Sequence, residues 1–159
     1  MDVRDLPVAR VMSRTLVTVG PDESPLIAWE IMRCAGVHHL PVVDTGGRLR
    51  GVLARDELAA AWSGGPAEQS RVRVAELLAE YGCPRVPPDS RLSEAAESML
   101  GASADAVAVV EHGEVLVGMV TATDVVRAVA GLAPDGEGPS EVLTGMFRLV
   151  PVLPRHPGE

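Results

Sequence analysis

Thr121 and Asp124 stand three residues apart where an aliphatic run, Val115 to Val120, gives way to a helix-forming stretch, Asp124 to Ala130. On the first turn of a helix that spacing projects both side chains to one side, so a hydroxyl and a carboxylate can address a single ligand. Free backbone N–H groups and the positive end of the helix dipole favour a phosphate there, and the Thr121 hydroxyl can add a hydrogen bond. The Asp124 carboxylate accepts two hydrogen bonds, which suits the vicinal diol of a ribose. Any helix can also display such a pair as an N-cap, Thr121 or Thr123, followed by a first-turn acid. The surrounding sequence has to decide between the two.

Other chemistries find little support. All 14 basic residues are arginines, which removes a Schiff-base lysine and a Walker-type phosphate loop. Cys34 and Cys83 show neither C-x-x-C spacing nor a histidine cluster, and read as small core residues of a reducing compartment. His38 and His39 are adjacent at the start of a strand, so they point to opposite faces and make no two-histidine metal site by themselves. Arg55 and Arg127 lie near the ends of candidate helices, where they could pair a phosphate or simply solvate the surface. Aromatic residues are only 3% of the chain and its formal charge is −8, a poor starting point for stacking on or neutralising a nucleic acid. The acidic start Met1 to Asp5 lacks a signal-like apolar region, and no apolar run is long enough to span a membrane. A soluble, cytoplasmic protein is expected.

The elements that must position Thr121 and Asp124 occur twice. Pro21-Asp22 recurs as Pro88-Asp89, and the same spacing holds without a gap to Leu58 and Val125. Along it Ala28 meets Ala95, Met32 meets Met99, Val42-Val43 meets Val109-Val110, and Gly51 meets Gly118. Each half begins with a short helical turn, Val8 to Met12 or Val74 to Leu78, and a brief extended segment, Leu16 to Val19 or Arg85-Val86. A helix follows, with Ser24 as N-cap and Pro25 at its first position in one half. Ala28, Ile31, Met32 and Ala35 form its apolar stripe, matched by Leu92, Ala95, Ala96 and Met99. Two strands then make a hairpin, Leu40 to Val43 with Leu49 to Leu53, and Val107 to Val110 with Val115 to Val120. Their continuous aliphatic character predicts cover on both faces. A second helix, Asp56 to Trp62 or Asp124 to Ala130, closes each half, and Gly131 is a candidate C-cap. Half the chain is marginal in size for a core of its own, so the halves should pair.

With Gly36-Val37-His38-His39-Leu40-Pro41-Val42-Val43-Asp44 in one copy and Gly118-Met119-Val120-Thr121-Ala122-Thr123-Asp124-Val125 in the other, the chain resembles the cystathionine beta-synthase (CBS) domain pair, or Bateman module, over about residues 7–131. The resemblance implies an α+β (α/β) fold of two β-α-β-β-α repeats related by a pseudo-twofold axis, residues 7–62 and 71–131 joined by a linker at 63–70. It also implies a regulatory rather than catalytic role. Family members have two clefts, many bind AMP, ADP, ATP or S-adenosylmethionine there, and many form homodimeric discs. The matching Asp usually contacts ribose, and the matching Thr or Ser phosphate. No cofactor or metal is required.

In the family each cleft commonly combines the T-x-x-D of one repeat with the G-h-x-x-h-P-V region and early strand of the other. By that rule one cleft joins Val120, Thr121, Thr123 and Asp124 to Ser13, Leu16, Thr18, Val37, His38 and Pro41. The opposite cleft joins Ala54 and Glu57, which replace the hydroxyl and the shorter acid, to Arg85, Val86, Asp105 and Ala108. Alanine offers no hydrogen bond, and the glutamate carries its carboxylate into the ribose space, so that cleft is expected to be degenerate or altered. The expected function is an adenosine-ligand sensor, without catalysis, that signals by a conformational change. The alternative is a ligand-free dimerisation or protein-interaction module, in which Val142 to Leu153 docks on a protein target. An enzyme ranks below both, since no Ser-His-Asp or Cys-His arrangement is recognisable. Residues 133–140, rich in Gly, Pro and acid, are expected to be a mobile connector, and Glu141 to Leu153 to pack on a surface the sequence does not identify.

Overall fold

The computed structural model describes residues 1–62, 64–78 and 83–132, and the backbone of 141–144. Two short 3-10 turns, Val3–Asp5 and Val8–Arg10, precede strand β1, Thr15–Thr18. Helix α1, Pro25–Ala35, starts as expected: Ser24 Oγ accepts from Ile27 N at 3.3 Å, and Pro25 supplies a preset φ without losing a needed N–H. It ends on Gly36, whose φ of 66° lets its N–H turn back to the Met32 carbonyl. Strands β2, His39–Val43, and β3, Leu49–Ala54, pair antiparallel, and helix α2, Arg55–Ala61, follows. In the hairpin turn Asp44 Oδ1 accepts from Gly46 N and Arg48 N at 2.9 and 3.0 Å. That satisfies backbone donors the strands leave over.

A one-turn helix α3, Pro66–Gln69, and a 3-10 turn, Val74–Leu77, lead into the second series. There follow β4, Arg85–Val86, α4, Leu92–Gly101, β5, Ala106–Glu111, β6, Val115–Thr121, and α5, Ala122–Val129. The order of elements thus repeats. Strand order is β4-β5-β6 in the second sheet, with β4 parallel to β5, and a parallel bridge from Val19 to Val42 makes the matching contact in the first. Both hairpins carry a register shift at the same place, between Val42 and Val43 and between Val109 and Val110.

Three apolar clusters hold this together. Strand alternation sends Leu40, Val42 and Leu53 to one face, against Ala28, Ile31 and Met32 of α1 and Leu58 of α2. Val107, Val109 and Val120 lie likewise against Leu92, Ala95, Met99 and Ala128. The opposite faces meet each other: Leu16, Val43 and Leu49 of the first half pack on Ala106, Ala108, Val110, Leu116 and Met119 of the second. The strands are therefore covered on both sides, as their aliphatic runs predict.

The early turns are exchanged between the halves. Val8, Val11 and Met12 belong to the second half's helix-side core, and Val74 to the first half's. The hydrogen bonds are reciprocal: Val8 N donates to Ser90 O at 2.7 Å and Ala9 N to Pro88 O at 3.0 Å, while Val74 N donates to Glu23 O at 2.8 Å and Ala75 N to Pro21 O at 2.9 Å. Glycine permits the closest part of each exchange. A Cβ on Gly118 would lie 2.3 Å from Met12 Sδ, and one on Gly51 would lie 3.0 Å from Leu78 Cδ2.

Of the C-terminal stretch, Glu141–Thr144 forms strand β7, parallel to β1, with Thr15 opposite Glu141 and Thr18 opposite Thr144. The surface for this part of the tail is thus the free edge of β1. The connector at 133–140 and the rest of the apolar tail lie outside the described residues.

Candidate functional site

A cleft of about 520 Å³ opens between the halves, beside α5. The first half supplies Ser13, Leu16, Val37, His38 and Pro41 to it, and the second Thr121, Thr123 and Asp124. Eight of the ten residues assigned to this cleft from sequence line it. Thr18 and Val120 do not. Thr18 is fully buried two residues further along β1, and Val120 alternates away from Met119 and Thr121 into the core beneath α4.

Asp124 is 7% exposed and caps the helix it sits on. Its Oδ2 accepts from Thr121 N at 2.8 Å and from Thr121 Oγ1 at 3.1 Å, while Asp124 N donates to Thr121 Oγ1 at 3.3 Å. Arg127, one turn on, faces the second carboxylate oxygen at 3.6 Å. The N–H of Ala122 donates to the Asp105 carbonyl at 2.9 Å. Capping and binding are therefore not alternatives at this position. The carboxylate is locked in place by the cap and borders the cleft, and of the donors expected to be open to a phosphate those of Thr121, Ala122 N and Asp124 N are engaged within the protein.

A second cleft, of about 550 Å³, lies on the other side of the paired strands and takes in Ala54, Asp56, Glu57, Cys83, Pro84 and Asp105. Ala54, Glu57 and Asp105 are where the sequence reading puts them. Arg85, Val86 and Ala108 are elsewhere. Arg85 pairs with Glu114 beside an open depression near Pro7 and Asp89, Val86 is buried under α4, and Ala108 is in the core between the halves. Cys83 and Pro84 take their place. Burial pushes the Cys83 thiol up from its ordinary pKa, so it stays protonated at neutral pH. Ala54 contributes no side-chain bond to the start of α2, as expected, and Asp56 adds an acid that the sequence reading did not include.

His39 and Asp105 border both clefts. His39 Nε2 lies 2.7 Å from Asp105 Oδ1, a bond from the first half to the second, and this contact holds the Asp105 carboxyl below its usual range. The two histidines do not simply divide between faces, because His38 lines the first cleft and His39 the wall common to both. Spacing alone could not reveal this, since Asp105 is 66 residues away. Arg127 lines the first cleft, whereas Arg55 lies over the Trp29 ring, 5.2 Å from its centroid, away from either. Among the described residues no group of three or more His, Cys, Asp or Glu could hold a metal ion.

The model for the CBS domain matches twice, at residues 3–64 and 68–131. No curated protein sequence matches the chain. Among solved structures, the CBS domain pair of protein MJ0100, in complex with 5′-methylthioadenosine and S-adenosyl-L-methionine, is 25% identical with a TM-score of 0.69, over 79% of this chain and 97% of that one. A Vibrio cholerae protein named for acetoin utilization, AcuB, is also 25% identical at a TM-score of 0.69, covering 80% and 92%. The CBS domain of a bacterial CNNM/CorC family Mg2+ transporter, in complex with ATP, shares the fold at 16% identity and a TM-score of 0.71, covering 82% and 91%. With its duplicated order of elements, its reciprocal turns and two clefts between the halves, the chain belongs to the CBS-domain family as a tandem pair.

Proposed function

We propose that the chain is a regulatory module that binds an adenosine-containing ligand in the cleft beside α5 and signals through a change in how its repeats are arranged. One observation carries the reading: Asp124, a carboxylate held rigid by its own helix cap, borders a cleft whose other wall comes from the opposite repeat. A ribose diol can donate to the carboxylate oxygens, and the apolar wall of Leu16, Val37 and Pro41 offers a surface for a base. The bound adenosine compounds of the MJ0100 domain pair support the ligand class. Signalling requires an affinity that differs between two arrangements of the pair, and a cleft walled by both repeats supports this reading because its shape depends on how they sit. The module is non-enzymatic in this reading, and its partner is a second copy of the chain. Exposed apolar residues on the outer helices, Val126 and Val129 on α5 and Leu100 on α4, support such an association.

Isothermal titration of the folded protein with adenosine, AMP, ATP, 5′-methylthioadenosine and S-adenosylmethionine tests the proposal. Saturable heat for at least one of them is expected, and no heat for any overturns it. A second reading, a ligand-free interaction module, is favoured by the mutual satisfaction of Thr121 and Asp124. It predicts an oligomer by ultracentrifugation whose melting no nucleoside shifts.

A further inference from the structure

We infer that the segment following β7, residues 145–159, docks as a polyproline II strand on an aromatic groove at the outer side of the first half of the same chain. The groove, of about 590 Å³, lies between α1 and α2 and is lined by Leu26, Trp29, Glu30, Ala59 and Trp62. Both tryptophans of the chain therefore share it, with ring centroids 6.3 Å apart and planes tilted by 57°. Leu26 is 41% exposed beside them and both rings are half-buried, so an apolar surface remains in contact with water. The repeat does not demand this surface, because Ala96 and Val129 stand at the matching positions of the second half.

Position, chemistry and charge select the occupant. β7 runs parallel to β1 with Thr144 opposite Thr18, so the chain leaves β7 on the course that takes β1 into α1. Leu26 lies eight residues beyond Thr18, through a turn at residues 21–23, and Pro154 lies ten beyond Thr144. At about 3.1 Å per residue a polyproline II strand has the reach. The run Arg148-Leu149-Val150-Pro151-Val152-Leu153-Pro154 is apolar and carries prolines three apart. Three residues per turn would set Arg148, Pro151 and Pro154 in one row, the arrangement by which proline-rich segments lie on aromatic grooves.

Arg148 and Arg155 flank the apolar run in a chain of formal charge −8, and the groove supplies Glu30. Glu30 holds Arg33 at 2.7 Å, but that pair is exposed and costs little to share. Tethered through β7, the segment meets the groove at an effective concentration in the ~mM range, which a second copy or a separate partner does not reach.

The test reads tryptophan emission, which reports on the groove because both tryptophans line it, in the wild type and in full-length Pro151→Asp/Pro154→Asp. The variant's emission should move to the red by several nanometres, and acrylamide should quench it about twofold more strongly as the indoles meet water, with far-ultraviolet circular dichroism unchanged. A synthetic peptide of residues 145–159 added to the variant should reverse both effects saturably, and Arg148→Ala in the peptide should weaken that reversal several-fold. Identical emission and quenching in wild type and variant overturn the proposal. A wild-type blue shift that is lost on dilution shows a second copy in the groove and overturns the contact within one chain. Reversal unaffected by Arg148→Ala overturns the part assigned to charge.

Discussion

Asp124 does two things with one carboxylate, and a substitution can separate them. In Asp124→Asn the amide oxygen can still accept from Thr121 N, so the cap survives, but the charge that strengthens hydrogen bonds from a ribose is gone. Such bonds to a charged group contribute about 1.5–3 kcal/mol, so affinity for the adenosine ligand should fall roughly ten- to hundredfold with melting nearly unchanged. Glu57→Ala, in the opposite cleft, should leave that affinity intact. Calorimetry of both variants checks the pair, and equal losses would contradict a single competent cleft. The residues that deliver this geometry were legible because Thr121-x-x-Asp124 and Gly36 to Asp44 are short-range patterns. What escaped was long-range or a matter of register. Thr18 and Arg85 occupy matching positions in the two halves, and neither lines its cleft, which Leu16 and Val17 border in one half and Cys83 and Pro84 in the other. The bond between His39 and Asp105 had no local signal at all.

Among the elements, the strands owe their positions to two faces that both need cover, and the glycines of β3 and β6 set how closely the exchanged turns approach. Gly118→Ala puts a Cβ 2.3 Å from Met12 Sδ and 3.1 Å from the Ser13 carbonyl oxygen, in a place where Met12 is itself buried. Overpacking of this kind costs about 1–3 kcal/mol, which urea unfolding should show as a lower midpoint with the slope unchanged. Because Ser13 lines the first cleft, the variant should also weaken ligand binding beyond what its stability explains. The helices and hairpins were readable from period and capping signals, including Ser24 and Pro25 at the start of α1. The pairing of β7 with β1 was not, since Glu141 to Thr144 shows only that it is apolar enough to pack, and an open strand edge is a property of the folded sheet.

For the whole molecule, the duplication visible in the sequence correctly implies two similar halves, but it suggests that each begins with its own turn. The turns are in fact lent to the other half. Fragments 1–64 and 65–159 should therefore each lack a piece of core: the first lacks Val74 from the cluster around Ile31 and Leu40, and the second lacks Val8, Val11 and Met12 from the cluster around Val107 and Val120. Fully burying one such valine contributes about 1.5–3 kcal/mol, a large share of the stability of so small a unit. Each fragment alone should show little cooperative unfolding by circular dichroism, and mixing them should restore a single transition. Stable, independent folding of either fragment would contradict this account.

The lending of turns also fixes an order of events during synthesis. Residues 3–12 leave the ribosome before the surface that receives them, which is built from α4, β5, β6 and α5, has been made. That segment must wait, its apolar side chains uncovered, until translation has passed α5, so this core consolidates only after the second repeat has emerged.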